Sequence, residues 1–376
     1  MHKWLLLVGL CITGLLQAQF RVTLRITALP SYHTLNEPVY IAGSFNNWNP
    51  GQSAARLQSD GSGKYSITLV APQGRHEYKL TRGSWEQVEV GGDGTSLANR
   101  IADISSDTTI EVSVLHWADH FPKKPKVSTA SKNVQIVDTS FYMPQLLRYR
   151  RVLIYLPESY SSSNKSYPVL YMHDGQNVFD EATSFSGEWG VDETLDVMGP
   201  RFGETIVVAI DNGSDKRMNE YNPYDIEQFG KGEGHHYVDF LAHTLVPYIN
   251  RHYRTKRSAR HTAVAGSSMG GLISFYAMLK YPNKFGAAGV FSPAFWVAPG
   301  IKTDIEKKAK KVKGRIYFFA GKQEGEQMVP DLLAVLEQMT RFSRADITTI
   351  IRTEGKHDEA TWRQEFPLFY QWLTNH

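Results

Sequence analysis

Cysteine is all but missing from this 376-residue chain: the single one, Cys11, sits in an apolar stretch at the N-terminus. The remainder can therefore use neither a disulfide framework nor a thiol nucleophile. An excess of charge of one sign is missing too, with 41 Lys and Arg against 38 Asp and Glu. No basic stripe stands out, so nucleic acid is not an expected partner. A membrane-spanning run is also absent, because the apolar segment Leu5 to Leu16 is too short to cross a bilayer and stable insertion is not expected. That segment follows the basic start His2-Lys3 and precedes Gln17-Ala18, a small-residue site suited to cleavage before Gln19. Residues 1–18 therefore read as a secretory signal, and the expected mature protein is exported, periplasmic or secreted. Cys11 follows Leu10 rather than a small residue, which argues against a lipoprotein anchor. Nothing in the sequence calls for a cofactor or a metal.

The length that remains is too great for one small domain and implies two. Residues 19–117 read as all β. Arg21 to Thr27 alternates polar and apolar residues, and Val39 to Ala42, Tyr65 to Val70, His76 to Leu80 and Ile110 to Val114 continue the set. Gly, Asn, Asp and Pro clusters separate these segments, as expected of a small immunoglobulin-like sandwich. Two phrases within it are more specific. Val39-Tyr40-Ile41-Ala42-Gly43-Ser44-Phe45-Asn46-Asn47-Trp48-Asn49-Pro50, followed by Gly74 to Leu80 and Gly83-Ser84-Trp85, resembles the glycogen- and starch-binding modules of carbohydrate-binding module family 48. That resemblance implies a sugar platform of Trp48, Trp85, Lys79 and Asn99. An aromatic face suits the C–H side of a pyranose, while Lys and Asn bond the hydroxyls. Trp48 and Trp85 are otherwise readable as sandwich core.

Residues 118–132 carry Phe121-Pro122-Lys123-Lys124-Pro125-Lys126 and then small polar residues with no apolar periodicity, the composition of an extended linker. From residue 133 to 376 strands and helices alternate. Leu147 to Leu156, Pro168 to Met172, Thr205 to Ile210, His261 to Ala265, Ala287 to Phe291, Arg315 to Ala320 and Ile347 to Ile351 are strand candidates. Several are continuous apolar runs of the kind buried in a parallel sheet. The clearest helices run from His235 to Tyr253 and from Met328 to Phe342. The expected class is α/β, in the order of an α/β-hydrolase.

The stretch around which this domain is organised is His261 to Gly271, an apolar strand that meets Gly266-Ser267-Ser268-Met269-Gly270-Gly271 and then a helix. Gly266-x-Ser268-x-Gly270 fits the nucleophile elbow, in which a serine sits in strained backbone between glycines that let strand and helix approach. Shifting the frame to Ser267 loses both glycines, so Ser268 is the expected nucleophile. In this fold the order is nucleophile, acid, histidine. After Ser268 the only internal histidine is His357, set between the last strand candidate and the C-terminal helix. The acid is expected on the loop after Arg315 to Ala320, where Glu324 is favoured over Glu326 and Asp331. One oxyanion donor would be the N–H of Met269, the residue after the nucleophile.

Tyr171-Met172-His173-Asp174-Gly175-Gln176, Asp211-Asn212-Gly213, Arg217-Met218-Asn219-Glu220-Tyr221-Asn222-Pro223, Pro247-Tyr248-Ile249 and the elbow, in that order, resemble the esterase D type of α/β-hydrolase, the family named Putative esterase. It includes feruloyl and acetylxylan esterases of carbohydrate esterase family 1, enterochelin-type siderophore esterases, S-formylglutathione hydrolase and the antigen 85 mycolyltransferases. The resemblance implies that the second oxyanion donor is the Gln176 N–H, and it makes Trp189, Arg217 and Tyr221 candidates to line the substrate pocket. Arg217 is equally readable as a structural ion-pair residue of its loop. The expectation is an exported serine carboxylesterase acting on an ester substrate, feruloyl or acetyl groups on plant polysaccharide, with polysaccharide held by the N-terminal module. A siderophore esterase is the alternative enzyme, and a glycan-binding protein with an inert hydrolase domain is the alternative of another class.

Overall fold

The computed structural model describes residues 18–34, 37–46, 48–61, 63–122, 126–226 and 230–375; the expected signal segment lies outside them except for Ala18. Two compact units divide the chain, Met1–Lys124 and Pro125–His376.

The first unit holds β1 (Gln19–Ala28), β2 (Tyr40–Gly43), β3 (Gln58–Ser59), β4 (Tyr65–Pro72), β5 (Gly74–Thr81), β6 (Glu89–Val90), β7 (Arg100–Ile104), β8 (Thr108–Ser113) and β9 (His116–Trp117). They form sheets in the orders β3-β4-β1-β8 and β2-β5-β7, with β6 and β9 as a short pair. The period of two decides which residues go inside. In β1, Val22, Leu24 and Ile26 are buried while Arg21, Thr23 and Arg25 face outward or lie at the margin. They join Ile41, Tyr65, Tyr78, Leu80 and Trp117 in one apolar cluster.

The second unit is a mixed sheet of β10 (Val134–Met143), β11 (Arg148–Tyr155), β12 (Val169–His173), β13 (Ile206–Ile210), β14 (Thr262–Ser267), β15 (Ala287–Phe291), β16 (Arg315–Gly321) and β17 (Asp346–Arg352). Their order is β10-β11-β13-β12-β14-β15-β16-β17; β11 runs antiparallel to both neighbours and the rest pair in parallel. All five residues of β13 are buried because helices cover both faces. Ile206, Val208 and Ile210 enter one core, and Val207 and Ala209 enter the other. The helices are α1 (Val191–Phe202), α2 (Arg217–Glu220), α3 (Gly234–Phe240), α4 (Val246–His252), α5 (Met269–Lys280), α6 (Ile301–Lys308), α7 (Met328–Phe342) and α8 (Glu359–Thr374). Helices α3 to α7 supply the first core, and α1 and α8 the second.

Two features of the second unit differ from the sequence expectation. The helix expected from His235 to Tyr253 is interrupted by a π turn at Leu241–Leu245. Pro247 stands two residues beyond it and has no N–H to donate four residues back, so the hydrogen-bond register slips there. Strand β10 lacks the alternation that would reveal it, because its register with β11 shifts after Ile136 and again after Asp138. The stretch expected to be an extended linker, 118–132, bonds at one end within the first unit and at the other within the second. Ala118 N–H donates to the Val88 carbonyl at 2.9 Å in the first unit. In the second, Lys126 Nζ reaches the Ser184 carbonyl at 2.8 Å and Ser131 N–H donates to Asp192 Oδ2 at 2.7 Å. Its small polar residues satisfy carboxylates that are themselves partly or wholly buried.

Candidate active site

The C-terminal ends of the parallel strands carry the chemistry. At the end of β14, Ser268 has φ 57° and ψ −120°, a conformation non-glycine residues rarely adopt. Its N–H donates to the Phe291 carbonyl at 2.9 Å, and its own carbonyl accepts from Ala294 N–H at 3.1 Å. At two of the elbow's glycines, Gly266 and Gly271, backbone leaves no room for a side chain. A Cβ on Gly266 would lie 2.9 Å from the Gly270 carbonyl carbon, and one on Gly271 would lie 2.7 Å from the Phe291 oxygen.

The same stitch repeats along the edge of the sheet. Ser292, after β15, donates its N–H to Phe319 O at 2.7 Å, and Lys322, after β16, donates to Arg352 O at 2.8 Å. Thus the loops bearing Ser268, Ser292, Glu324 and His357 are registered on neighbouring strands. His357 Nδ1 is 2.8 Å from Glu324 Oε2. Opposite a carboxylate that nitrogen carries the proton, which leaves Nε2 with a lone pair for use as a base. The Glu324 side chain is fully buried, and Oε1 accepts from Ser292 Oγ at 2.8 Å and from Gly321 N–H. Trp362 closes this set. Its indole N–H donates to Ser292 Oγ at 2.9 Å, and its ring meets the His357 ring edge-on with centroids 5.1 Å apart. Glu326 is exposed, and Asp331 lies in the first turn of α7. Of the three candidate acids, the structure brings Glu324 to the histidine.

The loop after β12 faces the elbow. Asp174 occupies the left-handed region at φ 55° and starts a 3-10 turn, Gly175–Asn177. A Cβ on Gly175 would meet the Ile210 carbonyl carbon at 2.7 Å. A Cβ on Gly270 would stand 3.2 Å from Asp174 Oδ2 and 3.3 Å from His173 Cβ, so this loop and the elbow are neighbours. Gln176 N–H lies in the first turn of the 3-10 segment and Met269 N–H in that of α5, where backbone donors have no intrahelical acceptor. Gln176 is further held by its side chain, whose Oε1 accepts from Asn212 N–H at 3.2 Å.

Three expected pocket residues have other places. Arg217 grips Asp174 through Nε to Oδ1 at 2.7 Å and Nη2 to Oδ2 at 2.8 Å, the ion-pair reading. Burial alone would raise the Asp174 carboxyl, but the Arg217 guanidinium and the Asn212 amide outweigh it and hold it below the usual range. Tyr221 is fully buried and accepts from Asp174 N–H at 3.3 Å, so it braces the loop and offers no pocket surface. Trp189 is 4% exposed, stacked on Trp362 with centroids 5.8 Å apart and edge-on to Phe291. An aromatic ring of that size completes the core beneath the site rather than lining a mouth. Neighbouring His173 is buried, its Nδ1 3.0 Å from the Tyr237 hydroxyl, and burial pushes its pKa down to about 4. Ser292 and Trp362 were not legible as site residues, although Ser292 falls directly after an apolar strand, the position shared by the other members.

A cavity of about 510 Å³ lies at the other end of the strands, beside Tyr167, Val169, Thr205 and Ala263, and touches none of these groups. In the first unit, Trp48 and Trp85 lie side by side with ring centroids 6.3 Å apart, both partly exposed and neither part of the apolar cluster. Lys79 Nζ donates to the Leu97 carbonyl at 2.6 Å, and the exposed Asn99 donates to Glu77 Oε2 at 2.9 Å.

Known proteins share this fold. The enterobactin esterase FES from Shigella flexneri, 16% identical, aligns over 94% of this chain and 93% of its own with a TM-score of 0.53, a likeness of fold. The protein YbbA of Bacillus subtilis is 29% identical over 187 residues, 47% of this chain and 70% of its own. An endo-1,4-beta-xylanase/feruloyl esterase of Xylanibacter ruminicola is 24% identical over 237 residues, 62% of this chain but only 30% of that protein. Residues 144–372 match the family model named Putative esterase, and the chain belongs to that esterase family.

Proposed function

We propose that this protein is an exported serine carboxylesterase that removes feruloyl or acetyl groups from plant polysaccharide. The observation that carries the mechanism is the His357–Glu324 pair at 2.8 Å, on the same sheet edge as a serine held at φ 57°. Ser268 Oγ forms a bond to the ester carbonyl carbon while its proton passes to His357 Nε2, and the carbonyl π electrons move onto oxygen. The Met269 and Gln176 N–H groups receive that negative charge, and each such donor is typically worth about a hundredfold or more in rate. Collapse of the intermediate breaks the bond to the leaving oxygen, which takes the proton from His357. Water then repeats the sequence on the acyl-enzyme. Glu324 stabilises the imidazolium in both halves, and Ser292 and Gly321 keep its carboxylate in place.

The feruloyl component of the xylanase/feruloyl esterase relative supports the substrate. The Trp48–Trp85 pair supports glycan binding by an immunoglobulin-like N-terminal module, since two partly exposed indoles outside the core form a surface that a sugar ring can cover. Lys79 uses one donor internally and has further N–H groups for a hydroxyl. A siderophore esterase is the second reading, favoured by the fold match to the enterobactin esterase across nearly the whole chain. Turnover of methyl ferulate, an aryl acetate and a trilactone siderophore by the purified protein decides among them. Preference for the trilactone would overturn the polysaccharide assignment, and no turnover of any would leave a glycan-binding protein with an inert hydrolase domain.

A further inference from the structure

We infer that Glu359 is a positioning residue that ties the oxyanion turn to the histidine loop and so sets the aim of the Gln176 N–H. The inference rests on the serine esterase reading of the site. Glu359 opens α8, two residues after His357, and is 8% exposed. Its Oε1 accepts from Asn177 Nδ2 at 3.1 Å. Asn177 is the residue after Gln176, and its remaining polar groups are committed within its own loop. Its N–H donates to Asp174 O at 2.8 Å, its carbonyl accepts from Trp189 N–H at 2.8 Å, and Oδ1 accepts from Phe185 N–H at 3.0 Å. The side-chain amide is thus the group through which Asn177 itself is gripped by a partner distant in sequence.

Two further contacts place α8 against the same loop. A Cβ on Gly187 would lie 3.5 Å from Glu359 Cβ, and Arg363, one turn along the helix, donates Nη1 to Glu188 Oε1 at 3.0 Å. The seam matters because it joins the two halves of the reaction. His357 handles the proton on one side, and Gln176 meets the developing charge on the other. A displaced donor weakens only the transition state, in which the oxyanion exists, and leaves ground-state binding alone. A buried carboxyl is costly unless bonded, and burial pushes the Glu359 pKa up. A neutral amide that keeps the acceptor can therefore do the same work.

The test compares Glu359→Ala with Glu359→Gln in the full chain. On an aryl acetate, Glu359→Ala is expected to lower kcat about tenfold or more with KM within about twofold, and Glu359→Gln to restore most of it. Affinity for a boronic-acid analogue of the tetrahedral state should fall with kcat in Glu359→Ala, while affinity for the product acid stays. Asn177→Ala and Glu359→Ala together should cost less than the sum of the two, because both cut the Asn177–Glu359 link, although each also loses a bond of its own, Asn177 to the Phe185 N–H and Glu359 to Ser186. Amide hydrogen exchange at Gly175 to Asn177 should quicken in Glu359→Ala but not in Glu359→Gln, a readout independent of turnover. Wild-type kcat in Glu359→Ala, or equal losses in the Ala and Gln variants, would overturn the inference and leave the esterase reading intact. A wild-type protein that hydrolyses no ester would sink the reading, and the exchange rates would still decide whether Glu359 holds the turn.

Discussion

The charge relationships around single residues make the sharpest distinctions. Glu324 is the acid that meets His357, at 2.8 Å, whereas Glu326 points to solvent. Glu324→Gln should therefore lower kcat by roughly a thousandfold or more with a small change in KM, and Glu326→Gln should leave kcat within about twofold. Ser292→Ala, which removes one of the bonds holding Glu324, belongs between them at about tenfold. Steady-state kinetics of the three variants checks the order, and a large loss in Glu326→Gln alone would move the acid. His173 makes a prediction about pH. Its folded pKa, about 4, lies below the value of 6.5 for an unperturbed histidine, so on acidification the unfolded chain takes up the proton first. Stability is full above about pH 6.5 and falls as pH drops towards about 4, by up to about 3 kcal/mol from this group. Urea midpoints across that range should fall more steeply for wild type than for His173→Asn, and parallel curves would contradict the assignment. Such residues were only partly legible beforehand. Ser268 and His357 could be read because motif and chain order restrict the choices. Ser292 could not, since a serine before Pro293 reads as an ordinary turn and its partner Glu324 is thirty-two positions away.

At the scale of elements, the elbow depends on how closely α5 and β15 approach. The Phe291 carbonyl is both the atom a Gly271 Cβ would strike, at 2.7 Å, and the acceptor of the Ser268 N–H. Gly271→Ala should therefore push the carbonyl and the nucleophile together, costing about 1–3 kcal/mol of stability and lowering kcat more than it raises KM. Gly92→Ala, where a Cβ meets nothing within 4 Å, is the control and should change neither. Loss of stability without loss of kcat would separate the elbow from that contact. The parallel strands were legible because both faces are covered and their residues are uniformly apolar: the expected Ala287 to Phe291 is β15 without adjustment. Strand β10 was hidden by its bulges, and the π turn by the intact apolar pattern on either side of Pro247. The burial of Trp189 and Tyr221 was hidden for another reason. Periodicity tells which residues share a face, but loops have no period, so an aromatic in a loop reads equally as pocket or core.

At the scale of the whole chain, the two units make separable predictions. Trp48 and Trp85 stand outside the apolar cluster of the first unit, so changing both to Ala should weaken binding to insoluble polysaccharide several-fold while thermal stability changes little. Turnover of a soluble aryl ester should be untouched; loss of both activities would make the indoles structural after all. Among the described residues no helix is long and apolar enough to cross a membrane. Sequence order carried the second unit's architecture well because each strand, loop and helix follows from its own stretch of chain. The seam between the turn at Asn177 and α8 at Glu359 did not follow, because those residues are 182 positions apart and meet only when the sheet is complete. The central claim is that Ser268 is the nucleophile, and the most direct measurement is reaction of the full chain with an aryl phosphonate ester followed by peptide mass spectrometry. One adduct per chain is expected, on the Ser268 peptide, formed in step with loss of ester turnover and absent from Ser268→Ala. An adduct elsewhere that abolishes turnover, or undiminished hydrolysis by Ser268→Ala, would contradict it.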